Sequence, residues 1–210
     1  PIRLVRCRIA RSPQITCRVA REYQVRAIVV RPCDLHLVMQ WMSGSNVLVA
    51  SVAGYPDGTS TTATKLYEAR DHLKHGAREV EFVLNPALTI SRSFQHIETE
   101  LMQIAKSCNE SAARLTVILN SRWLQDDHKI IVTKICRRVE AHRLSIDGDP
   151  AVFQPLLKDV LSLKLGSEVS SLQAALDARD AGYTSFATTR PALLLDEWRA
   201  RIAPPPPASS

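Results

Sequence analysis

Hydrophobic and polar positions along this chain switch repeatedly between a two-residue and a 3.6-residue period. Eight short runs carry the strand pattern: Ile2–Arg8, Ala27–Arg31, Val47–Val52, Glu79–Asn85, Leu115–Ser121, Arg143–Ile146, Val160–Leu165 and Thr184–Thr188. Helical stripes lie between them. Ile15, Val19 and Tyr23 form one, introduced by Ser12 as N-cap and Pro13 at the first helical position. Leu35, Val38, Met39 and Met42 form a second, and Ala63, Leu66, Ala69 and Leu73 a third that stops at Gly76. Ile97, Leu101, Ile104, Ala105 and Cys108 form a fourth, and Asp126 and Asp127 suit the first turn of the helix carrying Ile131, Ile135 and Val139. A last stripe, Leu172, Ala175 and Leu176, ends at Gly182.

Strands alternating with helices predict a parallel sheet, and eight such units predict an α/β fold of the (β/α)8 TIM-barrel type. The stretch from Leu144 to Leu161 leaves little room for a crossover helix, so the sixth unit is expected to be short. The expected organisation is one barrel over residues 1–202 and a Pro-rich tail over 203–210. Pro204–Pro207 cannot extend a helix and should adopt polyproline II.

Composition adds class boundaries. Hydrophobic residues make up 45% and charged residues 23% of 210, which is globular, and no apolar run nears the ~20 residues of a membrane span. The start, Pro1 to Arg11, alternates apolar and basic residues without the apolar core of a signal peptide, and a targeting segment removed ahead of Pro1 would fit its lack of Met. Five cysteines without CxxC spacing make a disulfide framework or zinc site a poor expectation and point to a reducing intracellular compartment, the cytoplasm or an organellar matrix such as the mitochondrial one. The net charge is +6, with arginines early in the chain at Arg3, Arg6, Arg8, Arg11, Arg18, Arg21, Arg26 and Arg31. This region is expected to be a solvated or partner-facing basic surface, open to an acidic protein face or nucleic acid. Aromatics are only 5%, which argues against a base-stacking platform for nucleic acid. The histidines show no metal-ligand spacing. His72 and His75 share a helix face near its end, where a cation suits the dipole. Asp147-Gly148-Asp149-Pro150 reads as a turn.

In such a barrel chemistry belongs at the C-terminal ends of the strands. Around the third strand the chain reads Val52-Ala53-Gly54-Tyr55-Pro56-Asp57-Gly58-Thr59-Ser60-Thr61-Thr62, followed by Lys65, Glu68 and Gly76 and then Glu79-Val80-Glu81-Phe82-Val83-Leu84-Asn85. This block resembles the deoxyribose-phosphate aldolases, class I aldolases. The likeness continues through Leu115–Ser121, Leu163-Lys164 and Ala181-Gly182. It implies cleavage of 2-deoxyribose 5-phosphate to glyceraldehyde 3-phosphate and acetaldehyde through a lysine imine, with no cofactor. An amine must attack the carbonyl, a carboxylate must carry protons, and backbone N–H groups must hold the phosphate.

Position by position, the resemblance places the imine-forming lysine on the sixth strand, at Ser145 or, one residue off, at Leu144; neither has an amine. The helper lysine of the seventh strand is Lys164, and the acid–base carboxylate of the fourth is Glu81. A fifth-strand lysine falls on Thr116 and its following acid on Asn120, while the first-strand acid falls on Arg6 or Cys7. The phosphate loops become Gly166-Ser167-Glu168 and Thr188-Thr189-Arg190-Pro191, the first bringing a carboxylate and the second a guanidinium. The vestigial candidates are therefore Lys164, Glu81 and Ser145, with Gly166, Ser167, Thr188, Thr189 and Arg190 as a residual anion site. Lys164 is expected to enter an ion pair inside the barrel, with Glu81 as candidate partner. The expected function is a non-catalytic aldolase-fold subunit of a larger protein complex. The alternatives are an active aldolase using Lys164 and a sugar-phosphate or anion sensor.

Overall fold

A computed structural model describes residues 5–8, 12–157 and 160–202. Its strands and α-helices follow in the order β1 Val5–Arg8, α1 Pro13–Tyr23, β2 Ala27–Val30, α2 Leu35–Trp41, β3 Leu48–Ala53, α3 Thr62–Lys74, β4 Glu79–Val83, α4 Pro86–Ile90, α5 Phe94–Glu110, β5 Arg114–Ile118, α6 Asp126–Arg138, β6 Arg143–Ile146, β7 Ser162–Glu168, α7 Leu172–Asp180, β8 Ser185–Thr188 and α8 Pro191–Ile202. Every strand pairs in parallel with the next, and β8 returns to β1 through Val5↔Phe186 and Cys7↔Thr188, closing an eight-stranded barrel. The expected α/β architecture and all eight strands are present. No helix of the described residues is long and apolar enough to cross a membrane.

Local chemistry sets the helix ends. Ser12, Thr61 and Ser171 each accept a hydrogen bond from the backbone N–H three residues on, satisfying one of the orphan donors of a first turn. Pro13, Pro86 and Pro191 open their helices, where a missing N–H costs nothing. Asp126 and Asp127 sit in the first turn of α6 and Arg137 and Arg138 in its last, matching the dipole at both ends. Gly76 follows α3 at φ +97°, a left-handed stop that a β-carbon would disfavour.

The outer layer, between strands and helices, forms two apolar clusters. Phe82, Ile97, Leu101, Ile104, Leu115, Val132, Leu144 and Leu163 belong to one. Val5, Ile28, Val38, Val49, Phe186 and Leu194 belong to the other. Each such side chain stabilises the fold by roughly 1.5–3 kcal/mol.

Several expectations need correction. The strand at Val160–Leu165 starts later and runs on to Glu168, because the pairing with β8 jumps from Leu165↔Phe186 to Glu168↔Ala187. Two helices, α4 and α8, were not foreseen. The unit after β6 is short, as expected: one 3-10 turn, Gln154–Leu156, is its regular structure among the described residues. His72 is no helix-end cation. It is buried, and burial above all holds its pKa below the ordinary value. Residues 1–4 of the first expected strand and the tail, Pro204–Pro207 included, lie outside the described residues.

Candidate functional site

Strand parity decides which side chains enter the barrel. Glu79 and Glu81 are two apart on β4, and Arg143 and Ser145 two apart on β6, so each pair faces inward together. On β1 the parity selects Arg6 for the interior while Cys7 joins the outer apolar layer. This overturns the reading of Arg6 as part of a basic surface: it is fully buried and ion-paired. Arg3 and Arg11 lie outside the described residues, and so does the side chain of Arg8.

The interior holds a chain of alternating charges. Arg143 donates to Glu79 Oε1 at 2.7 Å, and Arg6 donates from Nη1 to Glu79 Oε2 at 3.1 Å, with its Nη2 2.8 Å from Oε1. Thr116 donates to Glu79 Oε1 at 2.6 Å. Arg6 Nη2 also stands 3.3 Å from Glu81 Oε1, which accepts from Lys164 Nζ at 2.6 Å. Lys164 and Glu81 are each 1% exposed. The ion pair expected of Lys164 is therefore made, and with Glu81. Burial pushes the Glu79 carboxyl up, but Arg6 and Arg143 together overcome it and hold its pKa at about 2. Glu81 is likewise raised by burial and lowered more by Lys164 and Arg6, ending below its ordinary value. Three cations against two carboxylates keep both acids ionised. Neither Glu79 nor Arg143 was singled out from sequence; the two-residue spacing of charges inside otherwise apolar strands is the signal that marks them.

Above this chain the C-terminal mouth opens. One cavity of about 320 Å³ is lined by Tyr55, Asp57, Arg122, Trp123, Ser145, Asp147, Lys164 and Gly166 among others. A second, of about 300 Å³, is lined by Val30, Arg31, Val52 and Glu81 and shares Tyr55 and Ile118 with the first. The β6–β7 register puts Ser145 beside Lys164. Of the positions transferred by resemblance, Ser145 and Lys164 meet at this wall, Asn120 joins them, and Thr116 lies deeper in the charge chain.

The expected anion loop is arranged differently. Glu168 Oε1 accepts the Thr189 N–H at 3.1 Å and also the Thr189 hydroxyl. The Arg190 N–H goes to Thr188 Oγ1 at 3.1 Å, and Pro191 has none. Gly166 approaches Asp147 so closely that a β-carbon there would lie 3.0 Å from Asp147 Oδ1. Among the described residues no three His, Cys, Asp or Glu side chains converge as metal ligands would.

Below the loop after β3, Gly54 donates to Glu68 Oε2 at 2.7 Å, and Lys65 is buried between the Val83 carbonyl and Glu100, at 3.3 and 3.0 Å. Lys65 also lies 4.5 Å from the Phe82 ring centre. These members of the recognised block hold the β3 loop in place rather than facing the cavity.

Fold and mouth together define a (β/α)8 barrel with its cavity at the C-terminal ends of the strands. The deoxyribose-phosphate aldolase of Clostridium kluyveri is 31% identical over 166 residues, 74% of this chain and 76% of that protein. That of Treponema denticola is 32% identical over 114 residues, 54% of this chain, and the alignment spans about half of that relative, 51%. That of Rhodopirellula baltica is 23% identical over 189 residues, 85% of this chain and 78% of it. Among solved structures, the tetrameric deoxyribose phosphate aldolase of Aeropyrum pernix superposes with a TM-score of 0.85 at 22% identity, covering 95% of this chain and 91% of that one. An aldolase designated QR15 superposes with a TM-score of 0.83 at 20% identity, covering 97% of each. No family model matches the chain. The chain belongs to the deoxyribose-phosphate aldolase family.

Proposed function

We propose that this chain is a member of its family that does not perform imine-based aldol chemistry and acts as a structural or regulatory subunit of a larger assembly. One observation carries the reading: at the β6–β7 wall a serine, Ser145, stands beside Lys164, whose amine is committed to Glu81 at 2.6 Å. A class I aldolase needs an amine lone pair facing the substrate carbonyl. An ammonium hydrogen-bonded to a buried carboxylate has none to offer. Glu81, the residue that would move protons, is itself held ionised by Lys164 and Arg6 against the effect of burial. The loop that would take a phosphate by resemblance is engaged by Glu168, which speaks against a sugar-phosphate sensor. The net charge of +6 favours acidic faces as partners.

A second reading, an active aldehyde-lyase using Lys164, is favoured by family membership and by the placement of Lys164 on the cavity wall. Borohydride reduction in the presence of 2-deoxyribose 5-phosphate decides between them. The proposal expects no stoichiometric adduct by intact mass. An adduct mapping to Lys164 and lost in Lys164→Met overturns it. For the assembly role, affinity purification of the tagged chain from its source is expected to recover stoichiometric partners, and a partner-free monomer refutes it.

A further inference from the structure

The mouth cavity has walls of three kinds. At its lip are two aromatic side chains, Tyr55, 77% exposed, and Trp123, 73% exposed, both lining the same opening. Large rings left in water at one opening are stacking faces for a planar ligand. On the wall below is a set of acceptors. Asp147 Oδ1 is buried and accepts no hydrogen bond among the described residues, which is costly unless a donor reaches it. Asp57 and Asn120 line the same side. The third kind is charged and carries no surplus of cation: Arg122 and Lys164 stand against Asp57 and Asp147. Of these two cations, Lys164 is already paired with Glu81. The backbone donors nearest the ends of β7 and β8 are also in use: the Thr189 N–H by Glu168 and the Arg190 N–H by Thr188.

From this wall we infer that the cavity takes, without covalent chemistry, an unphosphorylated ring compound bearing free hydroxyl or amino donors, held by stacking between Tyr55 and Trp123 and by donation to Asp147. The inference rests on the non-imine reading above. A nucleoside has both the planar face and the donors; a free pentose has the donors alone. At about 320 Å³ the space lies at the low end of the ~300–1,000 Å³ typical of small-molecule sites and suits a ligand of nucleoside size. A phosphate ester meets a wall with no surplus of cation and an anion loop already engaged by Glu168.

The test is titration of the full chain with adenosine, 2-deoxyribose and 2-deoxyribose 5-phosphate, followed by calorimetry and tryptophan fluorescence. Adenosine is expected to bind, to bind more tightly than 2-deoxyribose, and to quench a signal that Trp123→Phe removes. Trp123→Ala should weaken adenosine about tenfold or more, the loss of one stacked ring. Asp147→Asn should weaken adenosine and 2-deoxyribose alike. Glu168→Gln should leave adenosine binding unchanged and improve binding of 2-deoxyribose 5-phosphate. Tighter binding of the phosphate ester than of adenosine by the unaltered chain, or no adenosine binding at millimolar concentration, overturns the inference. These outcomes are separable from the imine question: a borohydride adduct sinks the non-catalytic reading, whereas absent adenosine binding with no adduct sinks the ligand class alone.

Discussion

Replacing Glu79 with glutamine keeps the shape of the barrel floor and removes one charge from it. Arg6 and Arg143 are then left with Glu81 alone, and Glu81 already serves Lys164. Removing one partner of a buried ion pair costs about 3–5 kcal/mol, because the other charge stays buried without compensation. The depressed pKa of the carboxyl expresses the effect of the same two arginines in another form. Its pKa lies at 4.5 ordinarily and at about 2 in the fold. At about 1.4 kcal/mol per pH unit that difference contributes roughly 3 kcal/mol. The sign follows from the depressed folded value: the contribution is complete above pH 4.5 and is lost as pH falls toward about 2. Urea unfolding of both proteins, read by far-UV circular dichroism at several pH values, should show Glu79→Gln destabilised by about 3–5 kcal/mol at pH 7, with the gap narrowing as pH falls below about 5. A loss under about 1 kcal/mol, or a gap that does not change with pH, would refute the ion-chain account.

Gly58→Ala should destabilise the chain by about 2 kcal/mol, lowering Tm by roughly 4–8 °C, since the backbone there is at φ +75° and a β-carbon would lie 2.7 Å from the Val83 carbonyl oxygen. An unchanged melting curve would mean the β3 loop is not held as described. Phe82→Ala should cost about 3–5 kcal/mol in urea unfolding by opening a cavity beside Lys65. Lys65→Met should cost a similar ~3–5 kcal/mol by leaving Glu100 unpaired, and the double variant Lys65→Met/Glu100→Leu should recover much of that loss. A double variant no more stable than Lys65→Met counts against a simple ion pair.

The fold was legible because the strand and helix periods, the Ser12, Gly76 and Gly182 boundaries and the acidic start of α6 all act locally. The β3–β4 block named the family for the same reason: Gly54, Gly58 and Lys65 meet specific backbone demands that leave a fixed residue pattern. The charge chain was not legible as such, since its partners are far apart in sequence: Arg6 and Glu79 are separated by 73 positions, and Lys164 and Glu81 by 83. An arginine among many early arginines reads as surface until strand parity turns it inward. The helix α8 was missed although Pro191, Leu194, Leu195 and the partly buried Trp198 stand at i, i+3, i+4 and i+7; the exposed Leu193 among them blurs the stripe.

The pairing of Ser145 with Lys164 has a consequence for design and descent alike. Because adjacent strands hold these two positions in register, a single exchange, Ser145→Lys, would seat two amines shoulder to shoulder above one acid, Glu81. The newcomer and the incumbent would compete for that one counter-charge, and the loser would be the more readily deprotonated of the two. On the proposed non-imine reading, one side chain rather than a rebuilt barrel keeps a second amine from this wall.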